Sequence, residues 1–165
     1  PKEQGQLLQA LEQLNTQVTV IFVGIENQPA YQEIMNRFTL SHQVYFTGKV
    51  DNQAVLSYYP LFSVKVLPST IEGLSQSLLE AMAMKVPVIA TNMGGNAELI
   101  EEGKNGYLFE NGDTSHLTRL LEKLISDTSL RQKLGEYDHH TALDTFSVEN
   151  TVDHHEDLFR QLLED

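Results

Sequence analysis

The chain has 165 residues, 23 Asp and Glu against 11 Lys and Arg, and no Cys. That length suits one ordinary domain with a real core, and 41% apolar with 21% charged residues is a globular composition. A net charge of −12 argues against nucleic acid polymers, the missing Cys excludes disulfides and thiolate metal sites, and no apolar run approaches the roughly 18 residues of a membrane span.

Leu7, Leu8, Leu11 and Leu14 have helical spacing, and the β-branched run Val18-Thr19-Val20-Ile21-Phe22-Val23 ends at Gly24, which predicts a helix and then a buried strand. Further strands are predicted at Val44-Tyr45-Phe46, over 62–67 and at Val86-Pro87-Val88-Ile89-Ala90, with helices near 29–39, 51–59 and 74–84 between them. A short helix near 95–101 and a weak strand, Tyr107-Leu108-Phe109, follow. From Asp113 the pattern is helical to the end, with breaks expected at Asp127 and at Phe146-Ser147. Strands alternating with such helices imply βαβ units and a parallel sheet covered on both faces. No internal repeat or linker interrupts the pattern, so residues 1–165 are expected to form a single domain.

The charge is uneven. Residues 1–100 hold eight acids and five bases, net −3; residues 101–165 hold 15 acids and six bases, net −9. The acidic half reads as a solvated helical surface. The chain opens at Pro1-Lys2-Glu3, without Met and already close to a helical pattern, and is expected to belong to something longer.

In open parallel sheets, ligands bind beyond the carboxyl ends of the strands, where helix N-termini point. The loops of interest therefore follow Val23, Phe46, Leu67, Ala90 and Phe109. The first reads Val23-Gly24-Ile25-Glu26-Asn27 and is no G-x-G-x-x-G dinucleotide loop; a G-x-x-x-x-G-K-[ST] loop and a nucleophile elbow are absent too. His139-His140 and His154-His155 are adjacent pairs, which on a helix point about 100° apart and suit no shared metal; His42 and His116 read as surface or capping residues.

The informative stretch is Pro68-Ser69-Thr70-Ile71-Glu72-Gly73-Leu74-Ser75-Gln76-Ser77-Leu78-Leu79-Glu80-Ala81-Met82, which leaves a strand and opens a helix. Gly73 lets backbone approach a ligand, and the free amides from Leu74 to Ser77, with the helix dipole, favour a phosphate. Glu72 lies in the loop and Glu80 about two turns into the helix. Carboxylates do not hold phosphate but accept hydrogen bonds from sugar hydroxyls, so two of them bracketing an anion cradle suggest sugars on both sides of a diphosphate. The plainer readings are a loop carboxylate for Glu72 and an exposed helix residue for Glu80, although Leu79 and Ala81-Met82 make exposure of Glu80 less comfortable.

Glu72 and Glu80 form an E-x7-E element, followed in order by Pro87-Val88-Ile89-Ala90-Thr91, Gly94-Gly95-Asn96-Ala97-Glu98 and Asn105-Gly106-Tyr107-Leu108. Over essentially its whole length the chain resembles the C-terminal, donor-binding domain of a GT-B glycosyltransferase, most closely family 4. The resemblance implies a Rossmann-like parallel sheet flanked by helices, one half of a GT-B fold, with C-terminal helices. It implies a retaining, metal-independent enzyme that takes a hexose-type sugar from a nucleoside-diphosphate sugar to a glycan, lipid or other acceptor, as in polysaccharide biosynthesis. The acceptor would be held by an N-terminal domain outside this chain, and no cofactor or metal is expected. A cytoplasmic location is implied, compatible with peripheral attachment at the inner membrane face of the full-length protein.

By the same resemblance, Glu72 contacts the transferred sugar and Glu80 the ribose hydroxyls. Gly73, Leu74 and Ser75 lie near the sugar, and Gln76 and Ser77 supply amides to the diphosphate. Lys2 loosely matches a diphosphate-neutralising lysine, although the glycine usual after it is Glu3 here. Gly48 and Lys49, in Phe46-Thr47-Gly48-Lys49-Val50, resemble the loop that receives the nucleobase. Gly94-Gly95 is expected to shape a tight turn into the next helix, with phosphate approach as a second role, and Glu98 to orient nearby loop amides. Lys85 stands where the family commonly has glycine, and a left-handed conformation there would cost roughly 1 kcal/mol. The alternative from another functional class is a non-catalytic nucleotide-sugar-binding or regulatory module of the same fold.

Overall fold

A computed structural model describes residues 3–25, 33, 35–71, 73–146, 150, 152 and 160. In chain order these form α1 (Gln4–Glu12), β1 (Thr19–Phe22), β2 (Gln43–Phe46), α2 (Asn52–Leu56), a 3-10 turn (Tyr59–Leu61), β3 (Lys65–Leu67), α3 (Gln76–Ala83), β4 (Val88–Thr91), α4 (Gly95–Leu99), β5 (Tyr107–Phe109), α5 (Thr114–Ser126) and α6 (Thr128–Phe146). Most of the helix expected near 29–39, and most residues after Phe146, lie outside the described residues.

Every pairing among these strands is parallel, as the alternation predicts: β1 with β2, and β3 with β4 with β5. The strands form two ladders rather than one, because no ladder joins β1 to β3 among the described residues and a cavity of about 860 Å³ lies between them. The strand expected over 62–67 is correspondingly short, pairing only over Lys65–Leu67. Phe22 and Phe46 stack with centroids 5.1 Å apart, which holds β1 and β2 together at their carboxyl ends.

Strand β4 is buried along its whole length. Ile89 joins the core that contains Leu8 and Leu11 of α1 and Leu117, Leu120, Leu121 and Leu124 of α5, whereas Val88 and Ala90 join Leu78, Ala81 and Met82 of α3. An uninterrupted apolar run suits a strand covered on both faces. The spacing 117, 120, 121, 124 places one stripe of α5 inward. Asp113 caps that helix by accepting from the His116 amide at 2.8 Å, and Asp127 caps α6 by accepting from the Leu130 amide at 2.9 Å. The break expected at Asp127 is therefore a cap, reinforced by Arg131, whose guanidinium donates to the Leu124 and Ile125 carbonyls at the end of α5.

Two histidines meet carbonyls in the last turns of helices, a capping role as expected for His42. His42 is buried, not on the surface: its Nε2 donates to the Leu11 carbonyl at 2.7 Å and its Nδ1 accepts from the Val18 amide at 3.4 Å. That pair of bonds suits the tautomer that carries its proton on Nε2 and ties α1 and the chain after it to the start of β2. His139, by its Nδ1, meets the Ala83 carbonyl at 2.6 Å and so serves the C-terminus of α3.

Lys85 adopts φ 60°, the left-handed conformation expected to cost roughly 1 kcal/mol. The turn is held from α6. A Cβ on Gly135 would lie 2.2 Å from the Lys85 carbonyl oxygen, so only glycine allows this approach. Lys85 Nζ also sits 2.8 Å from Glu136, whose carboxyl it holds below the usual range.

The acidic C-terminal half is not all solvated surface. Asp138 of α6 is fully buried, and neither carboxylate oxygen has a hydrogen-bond partner among the described residues. Burial raises its pKa from 3.8 to about 8, so the folded protein keeps the carboxyl neutral where an unfolded chain ionises it. Unfolding then releases a proton between about pH 4 and pH 8, and stability should fall as pH rises through that window, by at most about 1.4 kcal/mol per pH unit. Urea denaturation at a series of pH values checks this: Asp138→Asn should flatten the decline, and an unchanged slope would contradict the assignment.

Candidate functional site

Helix α3 starts just beyond β3. Its N-cap, Ser75, is buried with extended backbone, but its hydroxyl lies 3.3 Å from the Ser77 hydroxyl and does not cap the helix. The amides of Gln76 and Ser77 meet no acceptor among the described residues. Uncapped first-turn amides and the positive end of the helix dipole make a place for an anion.

The loop ahead of α3 is pinned to the loop after β4. The Thr91 hydroxyl donates to the Ser69 carbonyl, and the Asn96 amide donates to the Thr91 carbonyl at 3.3 Å. Gly94 has φ 54°, and a Cβ on Gly95 would lie 2.1 Å from the Gly73 carbonyl oxygen. Gly94-Gly95 thus shapes the expected turn, and it also lets the Gly73 loop rest directly on α4. The Ser69 hydroxyl and Asn96 Oδ1 are buried there without hydrogen-bond partners among the described residues.

Inward packing of Leu78, Ala81 and Met82 leaves Glu80 on the flank of α3. Glu80 is half-buried, and its Oε2 lies 2.9 Å from the Tyr59 hydroxyl, which is also 3.1 Å from the Ser77 carbonyl. Tyr59 itself is 2% exposed; burial first, then the hydrogen bond to Glu80 and its charge, push its pKa well above the usual tyrosine value. The phenol therefore remains a donor at any working pH. Tyr59, Ser77 and Glu80 open onto the cavity between β1 and β3, together with Gly24, Ile25 and Pro68 from the ends of those strands.

The loops after β1 and β2 are stitched to each other. Thr47 donates its amide to Phe22 and accepts the Gly24 amide at 3.0 Å, while Gly48 donates its amide to Ile25 at 3.1 Å. Gly48 has φ 70°, which favours glycine, and Lys49 beside it is exposed. At the other end, the Glu3 amide donates to the Pro68 carbonyl at 3.0 Å, which ties the start of α1 to the loop leading into α3.

The family model described as glycosyl transferases group 1 matches residues 1–141. The chain belongs to the group 1 glycosyl transferases. Over 162 residues it is 30% identical to N-acetyl-alpha-D-glucosaminyl L-malate synthase of Bacillus anthracis and 33% identical to the putative glycosyltransferase EpsD of Bacillus subtilis. Each match covers 96% of this chain but 42% of the relative, so the chain spans less than half the length of these curated relatives. Among solved structures, Anabaena HepE in complex with UDP superposes with a TM-score of 0.81 at 27% identity, over 99% of this chain and 46% of that one. HepE was also solved in complex with UDP-glucose, with a TM-score of 0.80 at 26% identity. The fold is thus the α/β, parallel-sheet half of a GT-B glycosyltransferase.

Within this group 1 glycosyl transferase chain the expected residues separate clearly. Gly73, Leu74, Ser75, Gln76 and Ser77 form one continuous rim around the start of α3, with Gly73 and Leu74 exposed, Gln76 exposed and Ser77 half-buried. Glu80 lies beside that rim, so its plain reading as an exposed helix residue is replaced by a half-buried, hydrogen-bonded carboxylate. Gly48 and Lys49 lie on the separate stitched loop after β2, where the Gly48 amide is already engaged by Ile25. Glu72 and Lys2 lie outside the described residues. Glu98 is exposed and orients no loop amide among the described residues.

Sequence reasoning missed Tyr59 and the Ser69, Thr91 and Asn96 cluster. Pro60 after Tyr59 signals a tight turn, yet no local spacing links a tyrosine to a carboxylate 21 positions away. Gly95→Ala should destabilise the domain by about 1–3 kcal/mol, because the added carbon must displace backbone rather than a side chain. Thermal denaturation reads this directly, with Gly73→Ala, which meets open space, as the control expected to change little. Equal melting temperatures for the two variants would contradict the packing account.

Proposed function

We propose that this chain is the donor-binding, C-terminal domain of a longer retaining, metal-independent glycosyltransferase, and that it binds a nucleoside-diphosphate sugar carrying a hexose-type sugar. The observation that carries the reading is the uncapped start of α3 with a tethered carboxylate beside it, in a group 1 glycosyl transferase chain. The HepE complexes with UDP and UDP-glucose support it. The span of less than half of each curated relative supports a further domain that holds a glycan or lipid-linked acceptor.

In this reading the diphosphate lies against the Gln76 and Ser77 amides. The bond from the sugar's anomeric carbon to the diphosphate oxygen breaks, a bond to the acceptor oxygen forms on the same face, and the acceptor hydroxyl proton leaves with the diphosphate. Negative charge grows on the leaving group, so preorganised amides stabilise the transition state more than the ground state. Lys2 adds positive charge from the chain entering α1, whose next residue is fixed to Pro68. Glu80 accepts from the ribose hydroxyls, and Glu72 from hydroxyls of the transferred sugar. The enzyme works at the cytoplasmic side, on an acceptor bound outside this chain.

In the full-length protein, Glu72→Ala should lower transfer by about 100-fold, the size typical of losing one interaction that strengthens in the transition state, with nucleoside diphosphate binding retained. Transfer assays with UDP-, GDP- and ADP-sugars, beside calorimetry with the free diphosphates, give both readouts. Undiminished transfer by the variant would contradict the role of Glu72. Binding without any transfer by the wild-type full-length protein would favour the non-catalytic module. The isolated chain should bind donor weakly and transfer little, and rapid transfer by it would overturn the division of labour.

A further inference from the structure

We infer that Tyr59 is the positioning residue for Glu80, holding its carboxylate at a set distance from the α3 amides so that one ligand must offer a diphosphate and a ribose diol together. This rests on the donor-binding reading above and adds to it a residue outside the E-x7-E element.

Glu80 Oε2 meets the Tyr59 hydroxyl at 2.9 Å, and the same hydroxyl meets the Ser77 carbonyl at 3.1 Å. One phenol oxygen thus touches both ends of the site: the carboxylate, and the backbone of a residue whose amide belongs to the anion cradle. A glutamate on a helix flank otherwise samples several rotamers. A donor fixed in space selects one of them, and an anionic acceptor makes that bond stronger than a neutral one.

Tyr59 is itself closely packed. It opens the 3-10 turn, Pro60 follows it, and its ring is buried edge-on against Phe62 with centroids 6.0 Å apart at 84°. The phenol is therefore a rigid post from a separate element, not a side chain that follows Glu80. A carboxylate has about four acceptor positions, and the phenol occupies one of them. Those on Oε1 remain for the two adjacent hydroxyls of a ribose. Because Tyr59 also lines the cavity with Ser77 and Glu80, the pair stands where a ligand reaches it. The raised pKa keeps the proton on the phenol, so the post does not switch off in alkaline solution.

The test uses the full-length protein and measures Kd by calorimetry for UDP, GDP and ADP and for their 2′-deoxy counterparts. Wild type should bind one ribonucleotide more tightly than its deoxy form, and Tyr59→Phe should weaken the ribonucleotide about fivefold to tenfold while leaving the deoxy form nearly unchanged. In the Glu80→Ala background, Tyr59→Phe should add nothing. Should Phe at this position disturb folding, 4-fluorophenylalanine fills the same volume without a proton to donate. 4-Aminophenylalanine, still a donor, should restore the ribose preference. A Tyr59→Phe protein that keeps the wild-type preference overturns the inference and leaves the donor-binding reading intact. Equal weakening of ribo and deoxy forms assigns Tyr59 a general packing role and also overturns it. Wild-type protein that binds none of the diphosphates overturns the donor-binding reading, and this inference with it.

Discussion

Helix α3 is gripped on its inner face, and that grip decides where the groups it carries into the candidate site leave the helix. Leu78, Ala81 and Met82 are fully buried against Val88 and Ala90 of β4, and α6 packs over the same helix. With three residues of an eight-residue helix fixed inward, the 3.6-residue period sets the direction in which the other side chains leave the helix. Gln76 and Ser77 open the first turn toward the strand ends, and Glu80 falls on the flank facing Tyr59. The chemistry of the site follows from hydrophobic burial one layer below it.

The surrounding contacts keep the two ends of α3 from drifting. At its start, the loop through Gly73 rests on Gly95, and the Thr91 hydroxyl holds the Ser69 carbonyl. At its end, Lys85 turns left-handed and its carbonyl packs against Gly135, while His139 meets the Ala83 carbonyl. Strain of roughly 1 kcal/mol at Lys85 is offset by contacts that only a close approach of α6 permits. The protein tolerates a buried carboxyl, Asp138, on that same helix by keeping it neutral.

Much of this was legible in the residues. Apolar runs with β-branched content marked four of the strands and the short run Tyr107-Leu108-Phe109 the fifth, and their alternation with helices marked the parallel pairing. The loop opening α3, the turn at Gly94-Gly95 and the break at Asp127 also follow from local chemistry, since glycine and capping residues act within a few positions, whereas the left-handed Lys85 was signalled by the resemblance, which commonly has glycine there. What was illegible depends on partners distant in sequence. His42 reads as a surface or capping residue, and nothing nearby reveals its burial or which carbonyl, that of Leu11 31 positions away, it meets. Asp138 sits among other acids and reads as solvated, although packing buries it. Tyr59 and Glu80 meet only once β3 and α3 are in place. The separation of β1 from β3 is likewise a property of packing, not of either strand's composition.

The central claim is that an anion sits on the first-turn amides of α3 beside Glu80. Backbone amide chemical shifts during titration with a nucleoside diphosphate test it most directly. The account predicts that the largest shifts fall on Gln76 and Ser77, next to the tethered carboxylate, and that they weaken in Glu80→Ala. Saturable binding whose shifts spare Gln76 and Ser77 and cluster at another helix start would contradict it.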